Sequence, residues 1–361
     1  MESTAMRPGA RATAAVICCA LIAVELAWMI RDINADGLHD AVWMWIGLQL
    51  AGQKHPPPFT GIADVVVIVT AAGALFTSRR PAAVWGFVTA GIIAFVMRLP
   101  GVWMYANDWL DGAPLHTRAL LTSVGGTLAG LVLLGLGLWG REQMSALARS
   151  LAPRDQPSTP AGAGAVPRPS RGTAAAAGAL LVVLALEMIG WQIFYVHKYA
   201  DGHFQPHFYK YLLIGEMFPS VLLGPPTLYL AWALVALALG AAVAAFARHP
   251  LARPLGLSFV LSLVLARILL FDTLHSEHLL FRFDRVETYV KADQIFAVAE
   301  VLLAVLIGLL LLVKEDPARA LPQGWGPPAP QYGAPAGWGP MPQQPPAAGG
   351  FGPPPPNHPP Q

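Results

Sequence analysis

The chain has 361 residues, of which 55% are hydrophobic and 12% charged, and its mean hydropathy is +0.51. Soluble globular domains carry about 25% charge, so this balance excludes an ordinary soluble enzyme and a disordered chain. A net charge of +2 is too small for a polyanion such as nucleic acid, and two cysteines exclude a disulfide framework.

What remains is a polytopic integral membrane protein of the all-α class. A helix needs about 20 apolar residues to cross a hydrocarbon core about 30 Å thick. In chain order, apolar runs at 13–30, 62–77, 82–104, 118–140, 173–196, 226–247, 255–273 and 293–313 predict eight transmembrane helices. Arg7 and Arg11 precede the first run as they would in a cleaved signal peptide. Glu25 interrupts that run, however, and no small-x-small cleavage site follows, so it reads as a retained span. The second run is short and is expected to begin near Phe59.

Arg and Lys in the short loops set the orientation. Arg79, Arg80, Arg141, Arg149, Arg154, Arg168, Arg171, Arg248, Arg253, Lys314 and Arg319 fall with Arg7 and Arg11 on one side. The opposite loops carry an acidic excess that includes Asp32, Asp36, Asp40, Asp108, Asp111, Asp201, Asp272 and Asp284. Both termini are therefore expected to be cytoplasmic. The Arg-over-Lys bias and the load of Ala, Gly and Pro suit a GC-rich bacterial genome, which predicts the plasma membrane, in bacteria the inner one.

The two halves align. Ala35-Asp36-Gly37 matches Ala200-Asp201-Gly202, Ile46-Gly47 matches Ile214-Gly215, Pro57-Pro58 matches Pro225-Pro226, and Arg141-Glu142 matches Lys314-Glu315. Glu25 and Glu187 fall in the first span of each half, Arg98 and Arg267 in the third. The order of these matches predicts a tandem repeat of two four-helix units, 13–140 and 173–313. Because four is even, the repeat is parallel. In each half the first two spans are joined by an apolar, aromatic segment too short to cross, 41–52 and 208–223, expected to lie at the interface or to re-enter. Residues 1–12 form a short cytoplasmic N-terminus and 141–172 a flexible cytoplasmic linker. The tail 314–361 is rich in Pro and Gly with spaced aromatics, and is expected to be disordered with a local polyproline II preference.

Charge inside a span is expensive, about 2.5–3.5 kcal/mol for Asp, Lys or Arg at a helix centre. Glu25, Arg98, Glu187, Arg267 and Glu300 are kept despite it. Counted from the cytoplasmic ends at about 1.5 Å per residue, they share one layer slightly outside the midplane, with Asp64 nearer the outer surface. The expected arrangement is two Glu–Arg pairs, Glu25–Arg98 and Glu187–Arg267, which either only hold the bundles together or form an ion, proton or polar-solute site. Glu300 is expected to stand without a partner and, so buried, to be able to carry a proton.

Eight of ten histidines lie in the predicted outer loops. Asp272, His275 and His278 recur every three residues and would share one side of a continuing helix. Imidazole with carboxylate suits a first-row transition metal or a pH-responsive group. No HExxH, paired CxxC, phosphate loop or nucleophile elbow is present, so no catalytic residue and no cofactor is assigned. Cys18 and Cys19 read as packing residues.

Three function classes stay open. A non-enzymatic membrane binding or scaffold protein would recruit a cytoplasmic protein partner through its Pro-rich tail, with the lipid bilayer as its other partner and no nucleic acid. A proton- or ion-coupled transporter would use the intramembrane charges. A membrane metal or redox enzyme would use the outer histidines.

Overall fold

The computed structural model describes residues 6–46, 59–78, 83–107, 110, 115–140, 170–200, 208–215 and 221–313. The linker and the tail expected at 141–172 and 314–361 lie outside these residues, apart from Ser170, Arg171 and Gly172. Ten helices make up the described chain: α1 (Pro8–Asp36), α2 (Leu38–Trp45), α3 (Ile62–Thr77), α4 (Ala83–Ala106), α5 (His116–Trp139), α6 (Arg171–Ala200), α7 (Phe208–Ile214), α8 (Thr227–Phe246), α9 (Ala252–Ser276) and α10 (Thr288–Leu312).

Seven of them, α1, α4, α5, α6, α8, α9 and α10, are long and apolar enough to cross a membrane, and α3 is a shorter apolar helix of 16 residues. At about 1.5 Å per residue α3 is about 24 Å long, short of the full hydrocarbon core. The chain is thus an all-α, multi-pass membrane protein. Its surface agrees: Phe76, Leu121, Trp139, Leu186, Val243 and Leu302 are all well exposed on the outside of the bundle, where only lipid would cover so continuous an apolar surface.

The helices pack in two groups. In the first, α4 lies along α5 and α3, and α1 packs on α3 and α5; in the second, α6 lies along α8, and α9 packs on α8 and α10. Helix α9 also rests on α3 and α4 and joins the groups. Glycine sets the α4–α5 distance. A Cβ on Gly130 would fall 2.6 Å from the Phe95 backbone nitrogen, and one on Gly91 2.8 Å from the Gly130 carbonyl oxygen. Close backbone approach of this kind is the usual way membrane helices gain dispersion contact where lipid removes any hydrophobic drive.

Short helices α2 and α7 occupy the start of each inter-span connection; 47–52 and 216–220 lie outside the described residues. Past α7 the chain returns at Val221–Gly224 against the first group. The Leu223 N–H donates to the Phe59 carbonyl at 2.9 Å. The Tyr105 hydroxyl donates to the Leu222 carbonyl at 2.9 Å, and the Trp103 indole N–H to the Ile214 carbonyl at 2.9 Å. Asp32, counted among the loop acids from sequence, is buried at the end of α1. It accepts the backbone N–H of Thr60 at 2.8 Å and of Phe59 at 3.3 Å, and the Thr60 hydroxyl at 2.6 Å, which pins the entry to α3.

Candidate functional site

Two clusters of charge lie within the helices. The first is centred on Arg98 of α4, which is fully buried. Its Nε donates to Glu25 Oε1 at 3.1 Å, and its Nη2 to Glu25 Oε2 and to Asp64 Oδ1. Its Nη1 donates to the Leu223 carbonyl at 2.8 Å. Asp64 Oδ2 in turn accepts the Gly61 N–H at 2.6 Å. One guanidinium therefore joins α1, α3, α4 and the 221–224 segment, and each carboxylate has a donor.

Asp64 was expected nearer the surface, outside this layer. It belongs to the cluster because it sits in the first turn of α3, which packs on α1 and α4, and because the arginine stem is long enough to reach it. The legible signal was its place: an acid at the third position of an apolar helix is well set to accept an N–H from the residue before that helix. Nothing in the sequence marked the Leu223 carbonyl.

The second cluster differs from the expected pair. Arg267 of α9 is held by Glu300 of α10, with Nε donating to Oε2 and Nη2 to Oε1. Glu300, expected to stand alone, is the partner; Glu187, expected to be the partner, is not. The reason is packing. Helices α9 and α10 follow each other directly and lie side by side, whereas α6 packs on α8 and α10. Glu187 still faces this cluster, with Glu300, Arg267 and Trp191 as its neighbours. Both its carboxylate oxygens are buried, and no arginine or main-chain donor meets them. Asp293, one turn from the start of α10, adds a further carboxyl facing Arg267 and Glu300.

The clusters thus use similar side chains to different effect. In the first, two carboxylates share one arginine and every oxygen-rich group is met. In the second, three carboxyl groups surround one arginine, and the arginine is committed to one of them. A carboxyl without a donor can hold a proton, or can wait for a cation.

Among the described residues the histidines do not converge. Helix α9 ends at Ser276, and His278 has a left-handed backbone, φ 55°. The three-residue spacing from Asp272 through His275 therefore does not continue to His278 on one helical face. Among the described residues no three His, Cys, Asp or Glu side chains gather into a group that could hold a metal. His249 lies edge-on to Trp85 at 4.2 Å and His116 to Tyr105 at 5.4 Å, both packing contacts. Cys18 is buried and Cys19 exposed on α1. A groove of about 530 Å³ at the end of α5, lined by Leu131, Val132, Gly135, Leu136, Trp139 and Gly140, offers a ligand no charged side chain.

Fold and site together define a multi-pass α-helical membrane protein with charge buried between its helices. No known family model, curated protein or solved structure matches the chain.

Proposed function

We propose that the protein is a proton-coupled membrane carrier whose working group is Glu187, facing Glu300 and Arg267, and whose Arg98 cluster is a structural staple. The observation that carries this reading is the contrast between the clusters. Arg98 meets Glu25, Asp64 and a carbonyl, so nothing there is left to bind. The Glu187 carboxylate oxygens are buried with no arginine or main-chain donor. A buried carboxylate without a partner is costly unless it takes up a proton or a cation. An intramembrane ionisable residue of this kind is by default a functional group.

The same reading takes α3 as an eighth crossing, completed by the extended residues ahead of Ile62. Both termini are then cytoplasmic in a bacterial inner membrane, and the chain is a tandem parallel repeat in which Glu25 and Arg98 correspond to Glu187 and Arg267. One unit has kept a closed charge cluster and the other an open one. A scaffold reading rests on the tail at 321–361, outside the described residues; a metalloenzyme reading finds no support in the described histidines, which form no group that could hold a metal. The geometry favours the carrier.

Proteoliposomes with an entrapped pH dye test it. Under an imposed potassium diffusion potential, vesicles holding the protein should change internal pH faster than empty ones. Glu187→Gln and Glu300→Gln should return the rate to that of empty vesicles while eluting as folded protein. No excess rate with the wild-type chain, or equal rates in all three proteins, overturns the reading.

A further inference from the structure

Helices α6 and α10 meet along a seam that runs from the carboxyl cluster to one end of the bundle. On α6 the residues facing it are Glu187, Trp191, Phe194, Tyr195 and Lys198, the spacing of a single helical face. On α10 they are Tyr289, Asp293, Phe296 and Glu300, again a single face. The helices run antiparallel, so the rows meet in register. Trp191 lies edge-on to Phe296 at 6.0 Å, and Phe194 packs against Tyr289 at 5.8 Å. Trp191 also contacts Phe194 at 5.6 Å and Tyr195 at 5.8 Å. At the far end the Lys198 ammonium sits 3.6 Å over the Tyr289 ring and 3.0 Å from Glu287. From Lys198 to Glu187 the seam is about 16 Å long at 1.5 Å per residue.

We infer that this seam is a binding path for an organic cation with an apolar or aromatic body, such as a quaternary ammonium or phosphonium, with Glu187 as its charge partner at the closed end. The inference rests on the carrier reading and names the cargo class of that site. Ring faces attract cations, most strongly where water is excluded. The excess of carboxyl over guanidinium at the closed end rejects anions. A metal ion would need several oxygen or nitrogen ligands, and the walls here present rings. A proton alone needs no aromatic lining. An ordinary interfacial belt would ring the bundle at one level, whereas these rings line one seam and descend it. Phe194 is 37% and Phe296 45% exposed, so the flank of the seam faces lipid, the side from which a lipid-dissolved cation would approach. Lys198 on Tyr289 is a tethered ammonium already occupying a ring of the mouth.

Bound cation and proton would compete for Glu187. The groups facing that carboxyl are Glu300 from α10 and Arg267 from α9, with Asp293 of α10 acting on both. Helix α8, also packed on α6, brings Tyr229 and no charged side chain, and α7 brings Lys210, which is exposed.

The test is direct binding of tetraphenylphosphonium to the full chain in detergent micelles, against empty micelles, by equilibrium dialysis. Tetraphenylborate, of the same shape and opposite charge, is the control. The phosphonium should bind saturably and the borate should not. Trp191→Ala should weaken binding about tenfold, Trp191→Phe should retain most of it, Glu187→Gln should abolish it, and acid should compete. No phosphonium binding, equal binding of the borate, or unchanged binding in folded Glu187→Gln overturns the inference. If Glu187→Gln does not fold, the Trp191 pair and the borate decide. Wild-type vesicles that move protons while the protein ignores the phosphonium would sink the cargo class and leave the carrier reading standing; failure of both would remove both.

Discussion

Arg98→Met separates a staple from a working site. Methionine keeps the length and apolar stem of the side chain but removes every donor. Glu25 loses both its bonds, Asp64 loses one, and the Leu223 carbonyl is left unmet. Removing one partner of a buried ion pair costs about 3–5 kcal/mol, because the other charge is stranded. An unmet buried carbonyl adds about 1–3 kcal/mol. These contributions overlap, so a loss of at least about 4 kcal/mol is expected, against a total stability of about 5–15 kcal/mol for a folded domain. Unfolding in mixed micelles with rising dodecyl sulfate, followed by tryptophan fluorescence, reads the difference. Adding Glu25→Gln and Asp64→Asn to Arg98→Met should recover most of the loss, since no charge is then stranded. Glu187→Gln, which leaves the bonds of both arginines in place, should cost less than about 1 kcal/mol. Arg98→Met within about 1 kcal/mol of wild type, or a triple variant no more stable than the single one, would refute the assignment of this cluster to structure.

Two further substitutions probe the frame around that cluster. Tyr105→Phe removes the hydroxyl that holds the Leu222 carbonyl and should cost about 1 kcal/mol in the same titration, with the larger effect on protection of the 221–224 amides in hydrogen exchange. Gly130→Val forces α4 and α5 apart where a Cβ would meet the Phe95 backbone, and should cost about 1–3 kcal/mol or more; Gly125→Ala, which opens onto free space on the same helix, should be close to neutral.

Much of the helical frame was legible because length and hydropathy are local properties. Each of the eight apolar runs became a helix, and the places of Glu25 and Arg98 on their spans were enough to foresee that they would meet. What could not be read was which helices touch. The partner of Arg267 depended on α10 packing beside α9 while α6 turned toward α8, and no residue in those apolar faces announces that choice. Asp64 was missed by counting depth from an assumed surface: a 16-residue helix does not start where a longer one does. The Leu223 carbonyl was out of reach for a different reason. Every residue but proline carries the same backbone donor and acceptor, so a main-chain contact across more than a hundred residues leaves no mark in side-chain identity. His278 shows the converse error, since a three-residue spacing has meaning only while the helix continues, and this one ends two residues too soon.

The two charge clusters also explain why one protein can keep both rigidity and a free group at similar places in its spans. A buried arginine has five N–H donors in a fixed fork. When two helices and a main-chain carbonyl bring acceptors to that fork, as around Arg98, moving either helix strands a charge, and the group is locked. Around Arg267 both of the donors that form bonds go to Glu300 of the neighbouring helix, which ties α9 to α10 but leaves α6 outside the fork. Helix α6 is then held to α10 by apolar and ring contacts and, at its exposed end, by the Lys198–Glu287 ion pair, with no tie through a buried guanidinium. The element bearing that carboxyl is tied to its neighbour by no arginine, and its one ion pair to α10, Lys198–Glu287, lies at the exposed end. On the carrier reading proposed above, movement of α6 against α10 would open and close the seam to Glu187 without disturbing either arginine.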